Sequence, residues 1–232
     1  MVYYNTSQNI KSIKIIARAL GDLNEKAVFT GGAVLSLYAD DPAAPDVRPT
    51  RDMDIVVEIA SQSELKILRQ KLAVRNIHPA KDEKVLCRFI HQKILLDVMS
   101  TREVGWAPAN PWFKIGYDRR IPFELEDIRI QIFPFVCFLA AKFTAFHDRG
   151  GDPRTSHDFE DIIYLLDNRM DPVKDILDAE NEVKKLLRKE FEFILRDGTF
   201  QEAVLAHLEP ATQTKRYKML RQKLENIIHG IQ

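Results

Sequence analysis

An α+β fold is what this sequence predicts: a mixed sheet flanked by helices, followed by a mainly helical second half. Three observations predict it. Short β-branched runs bounded by turn residues, such as residues 54–59 (DIVVEI), fall before residue 134, whereas beyond it apolar residues recur at steps of three and four. A short apolar strand runs into Gly31-Gly32 and then into a helix-forming stretch. The change from strands to helices near residues 120–134 divides the chain into a first domain at 1–125 and a helical domain at 126–232.

The elements follow in order. Ile10, Ile13, Ile16, Ala17 and Leu20 place an amphipathic helix over residues 8–20, ended by Gly21. Residues 27–30 read as a strand, the glycine pair as a turn, and 33–38 as a helix. Three prolines and three aspartates make 40–49 a loop. The strand at 54–59 is followed by a helix at 61–74, with Ser61 at its start and Leu65, Leu68 and Leu72 on one face. Residues 85–90 and 93–99 are apolar strands separated by His91 and Gln92, a hairpin without the favoured Asn-Gly turn. Residues 101–114 carry prolines and tryptophans without period and read as a loop that folds over a site. Residues 129–133 (RIQIF) alternate as a strand, and Pro134 suits the first turn of a helix over 135–146. Four more helices are expected at 156–168, 172–195, 199–207 and 212–229.

Bulk properties exclude more than they assign. The chain has 232 residues, 45% of them hydrophobic, enough for a real core. Its 34 basic and 34 acidic residues cancel, so net charge demands no nucleic acid. Cys87 and Cys137 stand fifty residues apart without CxxC or Cys-His spacing, which argues against a disulfide framework or a structural zinc site and for reduced, half-buried thiols. Lys11, Lys14 and Arg18 interrupt any signal-peptide core, and the longest apolar run, residues 130–141, contains Gln131 and Pro134 and falls short of the roughly 18 residues that span a bilayer. The expectation is a soluble, cytoplasmic protein with no membrane partner.

Chemistry concentrates on three aspartates. In Thr50-Arg51-Asp52-Met53-Asp54 the two carboxylates sit at i and i+2 where a strand begins, so the alternation of a strand points both to one face. Their Cα atoms are then roughly 6 to 7 Å apart, within reach of two cations spaced by about 4 Å. Asp97 interrupts the apolar strand ILLDVM, where an unpaired buried charge is costly and requires a partner. If the two strands are neighbours, Asp97 completes a hard-oxygen site suited to magnesium, with manganese as the alternative, and can accept a proton from an attacking hydroxyl. Upstream, Phe29-Thr30-Gly31-Gly32 leaves room for backbone N–H groups to approach a phosphate.

Strand, GG turn, helix, DxD and a later carboxylate, in that order, resemble the DNA polymerase β-like nucleotidyltransferase superfamily on Gly31, Gly32, Asp52, Asp54 and Asp97; the segment between Gly32 and Asp52 is longer than usual there. In the second half, residues 139–149 (LAAKFTAFHDR) and 157–165 (HDFEDIIYL) are similar to the paired AxKxxAxxxR and RDxxDxxxL motifs of the AbiEii-like nucleotidyltransferases, toxins of type IV toxin–antitoxin systems and their relatives. His157 stands where that family usually has Arg. The resemblance covers residues 28–166. It implies a nucleotidyltransferase core followed by a helical domain that brings Lys142 and Asp158 to the cleft. It implies Asp52, Asp54 and Asp97 as metal ligands, catalysis by these with Lys142 and Asp158, and nucleotide binding by Thr30, Gly31, Gly32, Arg51, Lys142, Arg149 and Asp161. It also implies a nucleoside triphosphate substrate, an RNA acceptor and a cognate antitoxin protein. The rivals are a small-molecule, antibiotic-type nucleotidyltransferase and a catalytically idle nucleotide-binding protein of the same fold.

Independently of any family, Lys142 and Arg149 are seven apart and share a helix face, as do Asp158 and Asp161 at three apart, so two facing helices could exchange these charges in a purely structural network. Lys215, Lys218 and Arg221 form a basic face on the last helix, by default solvated but suited to phosphate contacts if the acceptor is RNA. Trp106, Trp112, Phe113 and Tyr117 read as loop packing before base stacking.

Overall fold

A computed structural model describes residues 3–81 and 85–230. It divides into two compact units, Met1–Ser36 with Asp46–Pro134, and Leu37–Pro45 with Phe135–Gln232.

The first unit is built on a mixed sheet. It contains α1 (Tyr4–Leu20), β1 (Ala27–Thr30), β2 (Asp52–Val57), α2 (Gln62–Val74), β3 (His78–Pro79), β4 (Arg88–His91), β5 (Ile94–Ser100), α3 (Phe113–Asp118), β6 (Ile121–Leu125) and β7 (Ile128–Ile132). The strand order among the described residues is β3-β4-β5-β2-β1-β7-β6. β1 runs antiparallel to β2 and parallel to β7, while β2 and β5 are parallel. All four residues of β1 are buried, in keeping with its place between β2 and β7 inside the sheet. β2 and β5 instead alternate: Met53 and Ile55, Leu96 and Val98 are buried on one face, and Asp52, Asp54 and Asp97 lie on the other. α2 starts where Ser61 accepts a hydrogen bond from the Glu64 N–H, the N-cap that its sequence announces. α1 has no cap of its own; Asp46, forty residues on, accepts from the N–H groups of Asn5 and Thr6.

Several elements depart from the sequence reading. Both edge strands, β3 and β6, contain a proline, Pro79 and Pro122, which sequence patterning treats as a break but an edge strand tolerates because its outer N–H has no partner to lose. α3 begins inside the expected loop; its Gly116 packs so closely on Phe133 that a Cβ would meet the ring at 2.6 Å. Residues 33–38 belong to a 3-10 helix, Gly32–Tyr38, instead of an α-helix. In the β4–β5 hairpin His91 pairs with Ile94, so Gln92 and Lys93 form the turn, with Gln92 at φ 57°.

The second unit carries α4 (Phe135–Arg149), α5 (His157–Asn168), α6 (Pro172–Leu177), α7 (Asn181–Arg196), α8 (Gly198–His207) and α9 (Gln213–Gly230). The single helix expected over 172–195 is two, because the polar run Asp178–Glu182 has almost nothing to bury and Glu180 adopts an extended N-cap conformation. The Pro/Asp-rich segment 37–45 belongs here as well. Tyr38 stacks on Phe138 with ring centroids 4.7 Å apart, Asp40 pairs with Arg169, and Asp41 pairs with Arg216.

Candidate active site

Backbone register assembles the carboxylates. The parallel pairing of β2 with β5 sets Asp54 beside Asp97, antiparallel pairing sets Arg88 of β4 beside Asp97, and Thr30 at the end of β1 lies beside Asp54. Residues paired across neighbouring strands share a face at a strand spacing of about 4.8 Å. Arg88, Asp97, Asp54 and Thr30 therefore form one row across four strands, with Asp52 two residues along β2 on the same face. The opposite face lines a separate cavity of about 660 Å³ between Ile55, Val57, Val98, Leu68, Leu72 and Tyr117.

Arg88 is the residue that sequence reasoning missed. Its Nε and Nη2 donate to Oδ1 and Oδ2 of Asp97, each at 2.7 Å, and Nη2 also donates to Asp52 Oδ2 at 2.6 Å. The Asp52 side chain retains 30% exposure, against 13% for Asp97 and 16% for Arg88, so the row opens to solvent at its Asp52 end. A signal was present in the sequence: Arg88 breaks the apolar run VLCRFI as Asp97 breaks ILLDVM, and two opposite charges inside adjacent strands of a hairpin need each other. Cys87, next to Arg88, is buried at 6% exposure; burial, aided by the charge of Asp97, pushes its thiol up to about 11, which disfavours the thiolate. Both cysteines are free and more deeply buried than expected.

The glycine turn touches the same row. Gly31 has φ 73°, and a Cβ there would fall 1.8 Å from Asp54 Oδ2, so a side chain would displace the carboxylate. A Cβ on Gly32 would meet Arg48 Nη2 at 3.1 Å and Thr50 Oγ1 at 3.2 Å, which identifies Arg48 as a cation beside the turn. Arg51, the basic residue singled out in the sequence, is exposed just ahead of β2.

Do these residues fit a divalent cation? Among the described residues no three His, Cys, Asp or Glu side chains are already gathered as a metal cage. The donors nevertheless suit one. They are hard carboxylate oxygens on one sheet face, and the cation seated on Asp52 and Asp97 is the Arg88 guanidinium, which stands where positive charge is drawn.

In the helical unit the charges named from the sequence form a cluster of their own. Lys142 of α4 lies 2.7 Å from Asp161 Oδ2 and 3.3 Å from Asp158 Oδ1, both on α5, and Arg149 donates to Asp158 Oδ2. Lys142 and Asp158 are almost wholly buried and Asp161 is completely so. His157 is exposed and pairs with Glu160. On α9 the basic face is divided in its use. Arg216 pairs with Asp167, and Lys223 donates to the carbonyls of Leu166, Asp167 and Arg169, whereas Lys215, Lys218 and Arg221 are exposed. The aromatics of 101–117 are packing residues: Trp106 leans on Phe89, Phe113 stacks on Phe133, and the Tyr117 hydroxyl donates to the Lys26 carbonyl. No helix among the described residues is long and apolar enough to cross a membrane.

The model of the family described as nucleotidyl transferase AbiEii toxin, type IV TA system, matches residues 14–228, reaching the C-terminal helices where motif reading had stopped at residue 166. Among solved structures, the chain is similar to an antigenic nucleotidyltransferase-like protein from Paracoccidioides brasiliensis, with TM-score 0.50 and 16% identity over 90% of this chain and 98% of that one. It is also similar to JHP933 from Helicobacter pylori, with TM-score 0.47 and 14% identity over 96% and 95% of the two chains. The first of these is a likeness of fold, and it bears out the α+β, nucleotidyltransferase-like architecture. No curated protein matches.

Proposed function

This chain belongs to the AbiEii nucleotidyltransferase toxin family, and from that premise we propose that its transfer reaction is metal-dependent, is carried by Asp52, Asp54 and Asp97, and uses RNA as acceptor. The observation that carries the proposal is the row itself: three carboxylates on one face of adjacent parallel strands, with a glycine turn pressed against the middle one.

Two divalent cations bound there, magnesium or manganese, would neutralise the triphosphate and acidify the acceptor hydroxyl. Asp52 and Asp54, on one face of β2, would hold them. Asp97 sits beside Asp54 and takes the hydroxyl proton as the acceptor oxygen bonds to the α-phosphorus. The bond from the α-phosphorus to the bridging oxygen breaks, and pyrophosphate leaves with the electron pair. Gly31 and Gly32 keep the approach to this face free of side chains, and Arg48 supplies positive charge for the phosphates. The nucleotide roles of Thr30, Arg51, Lys142, Arg149, Asp158 and Asp161 rest on the family motifs. The exposed Lys215, Lys218 and Arg221 favour an RNA backbone as acceptor, and membership in a type IV toxin–antitoxin family favours a cognate antitoxin as partner.

The test is transfer of label from each α-labelled nucleoside triphosphate to cellular RNA, or to a panel of hydroxylated small molecules, with magnesium or with EDTA, beside Asp52→Ala and Asp54→Ala. Magnesium-dependent label on RNA that both substitutions abolish is the expected result. Label on a small molecule alone would transfer the proposal to that acceptor class, and neither transfer nor nucleotide binding would sink it.

A further inference from the structure

We infer that Arg88 is an internal counter-cation that competes with divalent metal for Asp52 and Asp97 and thereby sets the metal affinity of the site. This rests on the metal-binding reading above, but it assigns a role to a residue which that reading leaves idle. Three bonds of 2.6 to 2.7 Å join one guanidinium to both carboxylates, and the contact to Asp97 is bidentate, using both of its oxygens. Such fork geometry is the strongest form of a carboxylate–cation pair. Arg88 is held by backbone pairing directly opposite Asp97, so its reach is fixed by the hairpin and is not the chance of a surface rotamer.

Two consequences follow from charge alone. Guanidinium stays protonated throughout the accessible pH range, so the cation leaves the carboxylates by movement of its side chain and not by losing its charge. A dication on those same oxygens would lie within a few ångströms of the guanidinium, and at about 4 Å like charges repel appreciably even at an effective dielectric constant of about 20. Metal and guanidinium are therefore alternatives. The exchange has a structural route, because Asp52 keeps 30% exposure while Asp97 is enclosed: a cation arriving from solvent meets Asp52 first and displaces the bond from Nη2 to Asp52 before the bidentate pair with Asp97. Without metal, Arg88 holds Asp52 and Asp97 together in a folded, partly charge-compensated row. A merely structural Arg88 would leave metal affinity untouched or, by positioning the ligands, improve it.

The sign of the change in metal affinity separates the two roles. Manganese binding to the full chain is measured by calorimetry and by the loss of the free-ion electron paramagnetic resonance signal, without nucleotide, for the native protein, Arg88→Gln and Arg88→Lys. Arg88→Gln is expected to bind manganese about tenfold or more tightly, equivalent to about 1.4 kcal/mol, and Arg88→Lys, which keeps the charge but cannot make the bidentate fork, to fall between. In EDTA the Gln variant should melt at a lower temperature than the native protein, and manganese should restore it. Adding Asp52→Asn should remove the gain. Affinity that is unchanged or weaker in a folded Arg88 variant overturns the inference, and Arg88→Lys decides the matter if Arg88→Gln does not fold. Manganese bound equally by native and variant proteins through Asp52 would leave the metal reading standing and refute this one; no manganese bound by any of them would refute both.

Discussion

Two clusters of aspartate and basic residues, one in each unit, use the same ingredients to different ends. On the sheet, Asp52 and Asp97 share Arg88, and the row remains open at Asp52. Between α4 and α5, Asp158 and Asp161 share Lys142, with all three side chains nearly or wholly sealed from solvent. The contrast lies in access. A charge pair open to water can exchange its cation for another at modest cost, whereas a sealed pair holds its partner because solvent cannot replace it. Carboxylates on a sheet face are therefore candidates for chemistry, and those between two packed helices answer first to stability.

The sharpest way to break the comparison is to remove one carboxylate from each cluster. Asp97→Asn should lower transfer by roughly a thousandfold, the equivalent of the several kcal/mol that metal and proton handling supply, while its urea unfolding midpoint falls by less than that of a variant in the helical cluster, because Arg88 keeps Asp52. Activity within tenfold of native would take Asp97 out of the reaction. Lys142→Met should do the reverse in stability: loss of the buried ammonium that Asp158 and Asp161 share, with only the exposed Arg149 still on Asp158, costs about 3 to 5 kcal/mol, visible as a fall in the denaturation midpoint. If Lys142→Met unfolds no more easily than the native protein, the cluster is not the structural element described here.

Gly31→Ala tests the join between turn and carboxylate. A non-glycine residue at φ 73° costs about 1 to 3 kcal/mol, and its Cβ must displace Asp54, so both stability and transfer should drop. Thermal melting gives the first and labelled transfer the second; a loss in neither would show that Asp54 can move away freely. The smallest effect is expected at Asp46. Burial acts to raise its carboxyl pKa, but hydrogen bonds from Thr6, Asn5 and Val47 outweigh burial and the net shift is downward. A depressed pKa contributes stability above the unfolded value of 3.8 that is lost as pH falls through the folded one. Asp46→Ala should therefore cost about 1 kcal/mol at pH 7, as lost helix caps do, and the difference should shrink below pH 3.8. A difference that stays constant with pH would mean that the carboxylate is not the cap.

Much of the sheet could be read in the sequence because its signals are local. Alternation in DMDIVV and ILLDVM put the aspartates on strand faces, and β1 appears at the residues its apolar run marks. What could not be read depends on pairing. Nothing local says that β5 docks parallel to β2 in the register that sets Asp97 beside Asp54, or that Arg88 stands opposite Asp97. Prolines hid the edge strands, since the same residue ends an inner strand and is harmless on an outer one. Segment 40–49 reads as a plain loop, yet its Asp40 and Asp41 are bound by Arg169 and Arg216, more than 120 residues away in the chain.

One measurement bears most directly on the central claim that the carboxylate row of the sheet is the seat of transfer. Label transfer from α-labelled nucleoside triphosphates is followed for the native chain and for Asp52→Asn/Asp54→Asn, with both shown by melting to be folded. The account predicts magnesium-dependent product from the native protein and none from the double variant; equal product from the two would contradict it.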